Sequence, residues 1–232
     1  MFYPAFIEIY GRKCVVVGGG EVAARKAKTL LLAGAEVVVI APTICARMKK
    51  LLAHQTPAPP AGASGRIEHV ARRYRKGDLR SAFIAVAATD DPGANLSVCR
   101  DAERLGILVN CASPPDAGNF IVPSASERGG LSIAVSTAGK CPALSKLIRR
   151  ELDDYTSGYP ALLAFLEDAR ARLREAMPGE RDRAAALDNL AARLMEAFRT
   201  GPEKKAPKLA EKELNRYFSF TRKKSRQRKA GP

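Results

Sequence analysis

The chain has 232 residues, 46% hydrophobic and 27% charged, which is enough apolar content to bury a core and excludes disorder as the general state. It has no run of apolar residues long enough to span a bilayer, and its start, MFYPAFIEIYGRK, lacks the pattern of a secretory signal, so a cytoplasmic protein without a membrane partner is expected. The net charge of +15 is unevenly placed: residues 201–232 hold eleven Lys or Arg against three Glu, a local +8, and the remaining +7 makes the body moderately basic, suited to a polyanionic ligand.

CVVV at 14–17 reads as a buried strand, and after three glycines a helix is expected from Glu21 to Ala33, closed by Gly34. A strand at Val37–Ile40 and a helix at Ile44–Ala53, with Met48, Leu51 and Leu52 inward, follow. HQTPAPPAGASG at 54–65 reads as a loop, since its three prolines and two glycines defeat both regular structures. Next come strands near Arg66–Val70 and Phe83–Ala87, a helix near Pro92–Leu105 and a strand at Ile107–Cys111. Strands alternating with helices, several apolar without a period of two, imply a parallel sheet covered on both faces, so residues 1–112 form an α/β, Rossmann-like domain.

SPPDAGNF breaks the pattern. FIVPSA and GLSIAVST read as a strand pair and CPALSKLIRRELDDY as an amphipathic helix, giving a small α+β region over 113–152. Helical stretches at 160–176 and 181–199, parted by MPGE, make a helical region over 153–200. The basic tail, 201–232, is expected to be partly disordered, with Leu209, Leu214, Tyr217, Phe218 and Phe220 able to support a partial helix.

The five cysteines form no CxxC pair, and most read as small buried apolar side chains. His54 and His69, the two histidines, read as surface residues, and no metal centre is expected. The chemistry-bearing feature is the turn Gly18-Gly19-Gly20 between strand and helix. Gly18, Gly20 and Ala23 fit G-x-G-x-x-A, in which the first glycine permits a tight turn and the second lets the backbone approach a pyrophosphate at the helix N-terminus. The second strand ends in Ala41-Pro42, where an acid would normally grip the adenosine ribose. Arg47 and Lys49 lie about a helical turn further on and read as solvated surface, so NAD is expected over NADP.

Several stretches together resemble the precorrin-2 dehydrogenases, the N-terminal half of siroheme synthases: YPAFIEIYGRKCVVVGGGEVAARKAKTLLLAGAEVVVIAP, FIAVAATDDPGANLSV, ILVNCASPPDAGNFIVPSA and GLSIAVSTAGKCPALSKLIRREL, in order over residues 3–152. The resemblance implies an NAD site that dispenses with the ribose acid and uses Gly18, Gly19, Gly20, Glu21 and Val22 with Pro42 and Thr43. It implies removal of a hydride and a proton from precorrin-2, giving sirohydrochlorin on the route to siroheme, by a homodimer joined through about 114–150. Candidate substrate contacts in the matching segments are Asn110, Asn119, Ser124, Ser136, Thr137, Lys140 and Ser145. Lys140 is favoured for a carboxylate, because TAGK ahead of a helix forms an anion seat.

One position departs from the family. Where its members carry an aspartate proposed to act in proton transfer and metal insertion, this chain has Ser113, which is no general base without an activating neighbour. Asp116 lies three residues on, across a loop fixed by Pro114 and Pro115, and either swings into that role or stays a solvent-facing residue or turn cap; the two stand as the catalytic candidates. Of Asp90 and Asp91, ahead of Pro92, one is expected to cap the helix, while Thr89 and Asp90 at the sheet's carboxyl edge face the nicotinamide side. Two other readings stay open: a bifunctional dehydrogenase and ferrochelatase working through Asp116, and a tetrapyrrole- or redox-sensing binding protein whose tail contacts nucleic acid, although such a tail is usually a solvated run.

Overall fold

A computed structural model describes residues 2–53, 65–177 and 179–200 together with positions 212 and 215, and the side chains of 198–200 are not among those described. The rest of the basic tail and the loop at 54–64, with His54, lie outside the described residues. The chain divides into two compact units, Met1–Val122 and Pro123–Pro232.

The first unit is built on five parallel strands, β1 (Lys13–Val17), β2 (Glu36–Ile40), β3 (Arg66–Val70), β4 (Ile84–Ala87) and β5 (Leu108–Cys111), in the order β3-β2-β1-β4-β5. The expected sheet is present. Its apolar runs follow from burial on both faces: Cys14 and Val16 point into one core with Val37, Val39, Ile84 and Val86, while Val15 and Val17 point into the other with Ala85, Ala87 and Val109. Helix α1 (Glu21–Leu32) lays Ala23, Ala24, Ala27 and Leu31 on the first core, and α2 (Ala46–Ala53) adds Met48. Helix α3 (Pro92–Arg104) covers the second with Val98, Cys99 and Ala102. Truncating a residue such as Val16, fully buried, is expected to cost on the order of 2 kcal/mol.

β1 is flanked by β2 on one side and β4 on the other, so the strand order reverses there, and crevices at such a reversal hold ligands in open parallel sheets. At the far edge, Gly118-Asn119-Phe120 folds back on β5: the Asn119 amide donates to the Ile107 carbonyl at 3.0 Å and accepts from the Val109 N–H at 2.7 Å.

In the second unit an antiparallel ribbon, β6 (Ser124–Arg128) and β7 (Leu131–Val135), turns on Gly129 and Gly130, both at positive φ as a two-residue hairpin requires. FIVPSA is thus strand only from Ser124. Phe120 instead bonds its N–H to the Val109 carbonyl and packs on the first unit's core. Helix α4 (Pro142–Tyr155) packs on the ribbon, where buried Asp153 accepts from the Ser126 hydroxyl and the Arg149 guanidinium. Helices α5 (Tyr159–Ala176) and α6 (Glu180–Thr200) form a hairpin around Leu162, Ala169, Leu190 and Leu194. No helix among the described residues is long and apolar enough to cross a membrane.

Candidate functional site

β1 and α1 are joined so tightly that only glycine fits. Gly18 has φ 129°, and a Cβ there would stand 2.2 Å from the Ala88 carbonyl oxygen beyond β4. The Gly18 N–H bonds to Ile40 at 3.0 Å and the Gly19 carbonyl receives the Cys45 N–H at 2.8 Å, so the turn is fixed to the ends of β2 and the approach to α2. Gly20 differs: nothing lies within 4 Å of where its Cβ would be. It is the N-cap of α1, and no side chain caps that helix. The first-turn N–H groups of Glu21, Val22 and Ala23 therefore face an open space at the positive end of a twelve-residue helix, a donor set and field that match a diphosphate. Glu21 at its rim pairs with Arg47 at 3.7 Å, both side chains largely exposed, so the pair is weak.

On the β2 side the chain offers buried Ala41 and exposed Pro42 and Thr43, with no acid. His69 is half-buried, not a surface residue as the sequence reading has it: its Nε2 donates to the Ala41 carbonyl at 2.9 Å and fixes the end of β2. Alternating strand direction in RIEHV gives the signal, since Ile67 and His69 share a face and only Ile67 reads as core.

Beyond β4, Asp91 caps α3 by accepting from the N–H groups of Gly93 and Ala94 at 2.8 and 3.2 Å, leaving Asp90 exposed with no capping duty. The neighbouring Thr89 hydroxyl lies 2.8 Å from the side-chain oxygen of Asn95 and 2.9 Å from the Asp91 carbonyl. Beyond β5 come Ser113 and, on a single 3₁₀ turn (Pro115–Ala117), Asp116, both exposed. Asn110 is half-buried and donates to the Phe120 carbonyl at 3.1 Å. The sheet therefore gathers Gly18–Val22, Pro42, Thr43, Thr89, Asp90, Ser113 and Asp116 along the carboxyl edge of its adjacent strands.

In the second unit Ser124 opens β6 opposite Val135. The loop into α4 turns through Ala138 and Gly139, both at positive φ, and the Thr137 hydroxyl accepts the Cys141 N–H at 3.0 Å and lies 3.1 Å from the buried Ser145 hydroxyl. Thr137 and Ser145 are thus tied to each other, and Ser136 accepts the Ala138 N–H at 3.1 Å. Lys140 is exposed where α4 begins, and the N-cap Cys141 supplies no side-chain bond.

All five cysteines are free. Burial pushes the Cys14 thiol up to about 11 and that of Cys99, beside Cys111, to about 12, consistent with inert apolar packing, whereas Cys141 is exposed. Among the described residues no group of three or more His, Cys, Asp or Glu is placed to hold a metal ion. Sequence reading also missed Asn95, a polar residue on the helix stripe shared with Val98, Cys99 and Ala102, which is the pattern that marks it.

Two family models match the chain: putative NAD(P)-binding over residues 5–124 and sirohaem biosynthesis protein central over 128–155. It is 37% identical to a siroheme synthase of Nitrosospira multiformis over 78% of its own length and 38% of that protein's. With a siroheme synthase of Azotobacter vinelandii it shares 34% identity over 92% of its own length and 44% of the other's. The chain thus spans less than half the length of these curated relatives. Among solved structures it matches "SirC, precorrin-2 dehydrogenase" with a TM-score of 0.67 and 28% identity, covering 91% of this chain and 100% of that one. With the glycine turn on a parallel sheet and both matches on one polypeptide, the chain belongs to the putative NAD(P)-binding family, with a sirohaem biosynthesis central segment after it.

Proposed function

We propose that this protein is an NAD-dependent precorrin-2 dehydrogenase, a cytoplasmic homodimer that removes a hydride and a proton from precorrin-2 to give sirohydrochlorin. The observation that carries the reading is the open, uncapped N-terminus of α1 under Gly20, in a chain similar over 91% of its length to a precorrin-2 dehydrogenase. The bound nicotinamide supplies the hydride acceptor. Gly18 and Gly19 hold the turn in shape, Gly20 leaves room for the diphosphate, and the N–H groups of Glu21 and Val22 bind it. NAD is favoured over NADP because Ala41, Pro42 and Thr43 bring no cation to the ribose.

At the ends of β4 and β5, Thr89 and Asp90 orient the nicotinamide side, and Asp116 receives the proton, with Ser113 as a neutral polar contact in place of the family's aspartate. Asn110 contributes to substrate contact, as does Asn119 through the N–H and lone pair that the β5 edge leaves over. Within the second unit, Ser124, Thr137 and above all Lys140 are assigned to substrate contact, the Lys140 ammonium at the start of α4 suiting a carboxylate of a polyacidic macrocycle. The dimer is supported by α4, which exposes Leu144, Leu147, Leu152 and Tyr155 on one side.

The deciding experiment is anaerobic incubation with precorrin-2 and NAD or NADP, following NADH and sirohydrochlorin together. Joint appearance with NAD, at a higher kcat/KM than with NADP, is expected. Absence of both products ends the reading.

A further inference from the structure

The amide of Asn95 is fully buried in α3, one turn from its start. Asparagine is a poor residue for a helix interior, and burying an amide is unfavourable unless its polar atoms are all bonded. Here they are. The side-chain oxygen accepts the Thr89 N–H at 3.0 Å and lies 2.8 Å from the Thr89 hydroxyl, and the nitrogen donates to the Thr89 carbonyl at 3.1 Å and to the Ser113 carbonyl at 3.0 Å.

These partners stand just past the ends of two adjacent parallel strands. The β4–β5 pairing closes at Ala87 and Cys111, with one more bond from the Ala112 N–H to the Ala87 carbonyl at 2.8 Å. Past that point the chains part, β4 running into the cap of α3 and β5 into the 3₁₀ turn. One side chain, rooted in a third element, bridges the two turns where the ladder no longer does.

We infer that Asn95 is a positioning residue for dehydrogenation: it sets the spacing between the Thr89–Asp90 turn and the Ser113–Asp116 turn. This rests on the function proposed above, in which the first turn orients the nicotinamide side and the second receives the proton. The hydrogen bonds that fix the diphosphate cradle, from the Gly18 N–H to Ile40 and from the Cys45 N–H to the Gly19 carbonyl, do not involve Asn95, so loss of the bridge is expected to act on turnover more than on cofactor affinity.

The test compares Asn95→Ala and Asn95→Asp with Tyr74→Phe in the full chain. Tyr74 donates to Asp101 at 2.9 Å and anchors α3 from its other end, so its loss lowers Tm while leaving both turns in place. The expected result is a fall of about 30-fold or more in kcat for the Asn95 variants, with NAD Kd by titration within about threefold of wild type, together with faster hydrogen exchange at residues 112–117. Tyr74→Phe keeps wild-type kcat. Asn95→Ser keeps the test open if the other two do not fold, with an intermediate loss expected. Folded Asn95 variants with kcat within about threefold of wild type, or a kcat loss in Tyr74→Phe matching theirs, overturn the inference. A wild-type protein inert toward precorrin-2 overturns the underlying reading instead.

Discussion

Gly19 and Thr43 meet with no room for a carbon atom between them: a Cβ at position 19 would lie 1.9 Å from the Thr43 carbonyl oxygen. Gly18 is equally confined by Ala88, whereas Gly20 opens onto empty space, so three consecutive glycines have two different reasons to be there.

Alanine substitutions should separate those reasons. Gly18→Ala and Gly19→Ala force backbone to move and are expected to lower Tm by roughly 5 °C or more. Gly20→Ala is expected to keep Tm within about 2 °C, while its methyl group takes the space of the diphosphate and raises the NAD Kd at least about 10-fold. Thermal melts and cofactor titration on the three variants decide it, and tight NAD binding by Gly20→Ala would remove the cradle.

Asp116 and Ser113 are separable by kinetics. With Asp116 as the proposed proton acceptor, Asp116→Asn should lower kcat about 100-fold, while Ser113→Ala, at a proposed polar contact, should change it by less than about threefold. Anaerobic cobalt insertion into sirohydrochlorin, run beside these assays, addresses the bifunctional alternative: wild type at the uncatalysed rate is expected, and faster insertion lost in Asp116→Ala would instead establish chelation.

Leu147 is 54% exposed on α4 between Leu144 and Tyr155. Light scattering should give twice the 25.0 kDa chain mass for wild type and the single mass for Leu147→Glu. A monomeric wild type at working concentration removes the homodimer.

Arg72 grips Asp78 with two bonds of 2.7 and 2.8 Å, and the Arg75 N–H adds a third at 2.8 Å. These hydrogen bonds, the guanidinium's foremost, hold the Asp78 carboxyl below its ordinary value of 3.8 despite partial burial. A depressed carboxyl contributes stability that is fully present above its unfolded pKa and is lost as the pH falls through the folded one. Wild type should therefore melt roughly 2–5 °C above Asp78→Asn at neutral pH, and the gap should begin to narrow as the pH falls below 3.8 and close only below the lower value of the folded carboxyl. A gap that persists into strong acid would mean that the charge is not its source.

Much of the first unit could be read from the sequence because its strands are buried on both faces and its helices carry small residues toward them. The expected strand at 66–70 coincides with β3, and Gly34, at φ 79°, closes α1 as read. The β6 strand was harder. SASER alternates without a hydrophobic row, and its place is fixed by the Gly129–Gly130 turn and by the bond from Ser126 to Asp153, twenty-seven residues away. At the site, glycine spacing carries a local signal, so the turn was legible. Asn95 and His69 act on backbone carbonyls of Ser113 and Ala41, eighteen and twenty-eight residues distant, and that pairing exists only once the sheet has formed.

The fold-back of Asn119 has a consequence for how the molecule behaves in a crowded solution. β5 is the last strand on its side, and a bare last strand is a template on which a neighbouring chain can crystallise its own backbone. Here the N–H of Val109 and the carbonyls of Ile107 and Val109 are already taken by Asn119 and Phe120, so that stretch of the border is occupied from within and offers an incoming strand fewer groups to hold.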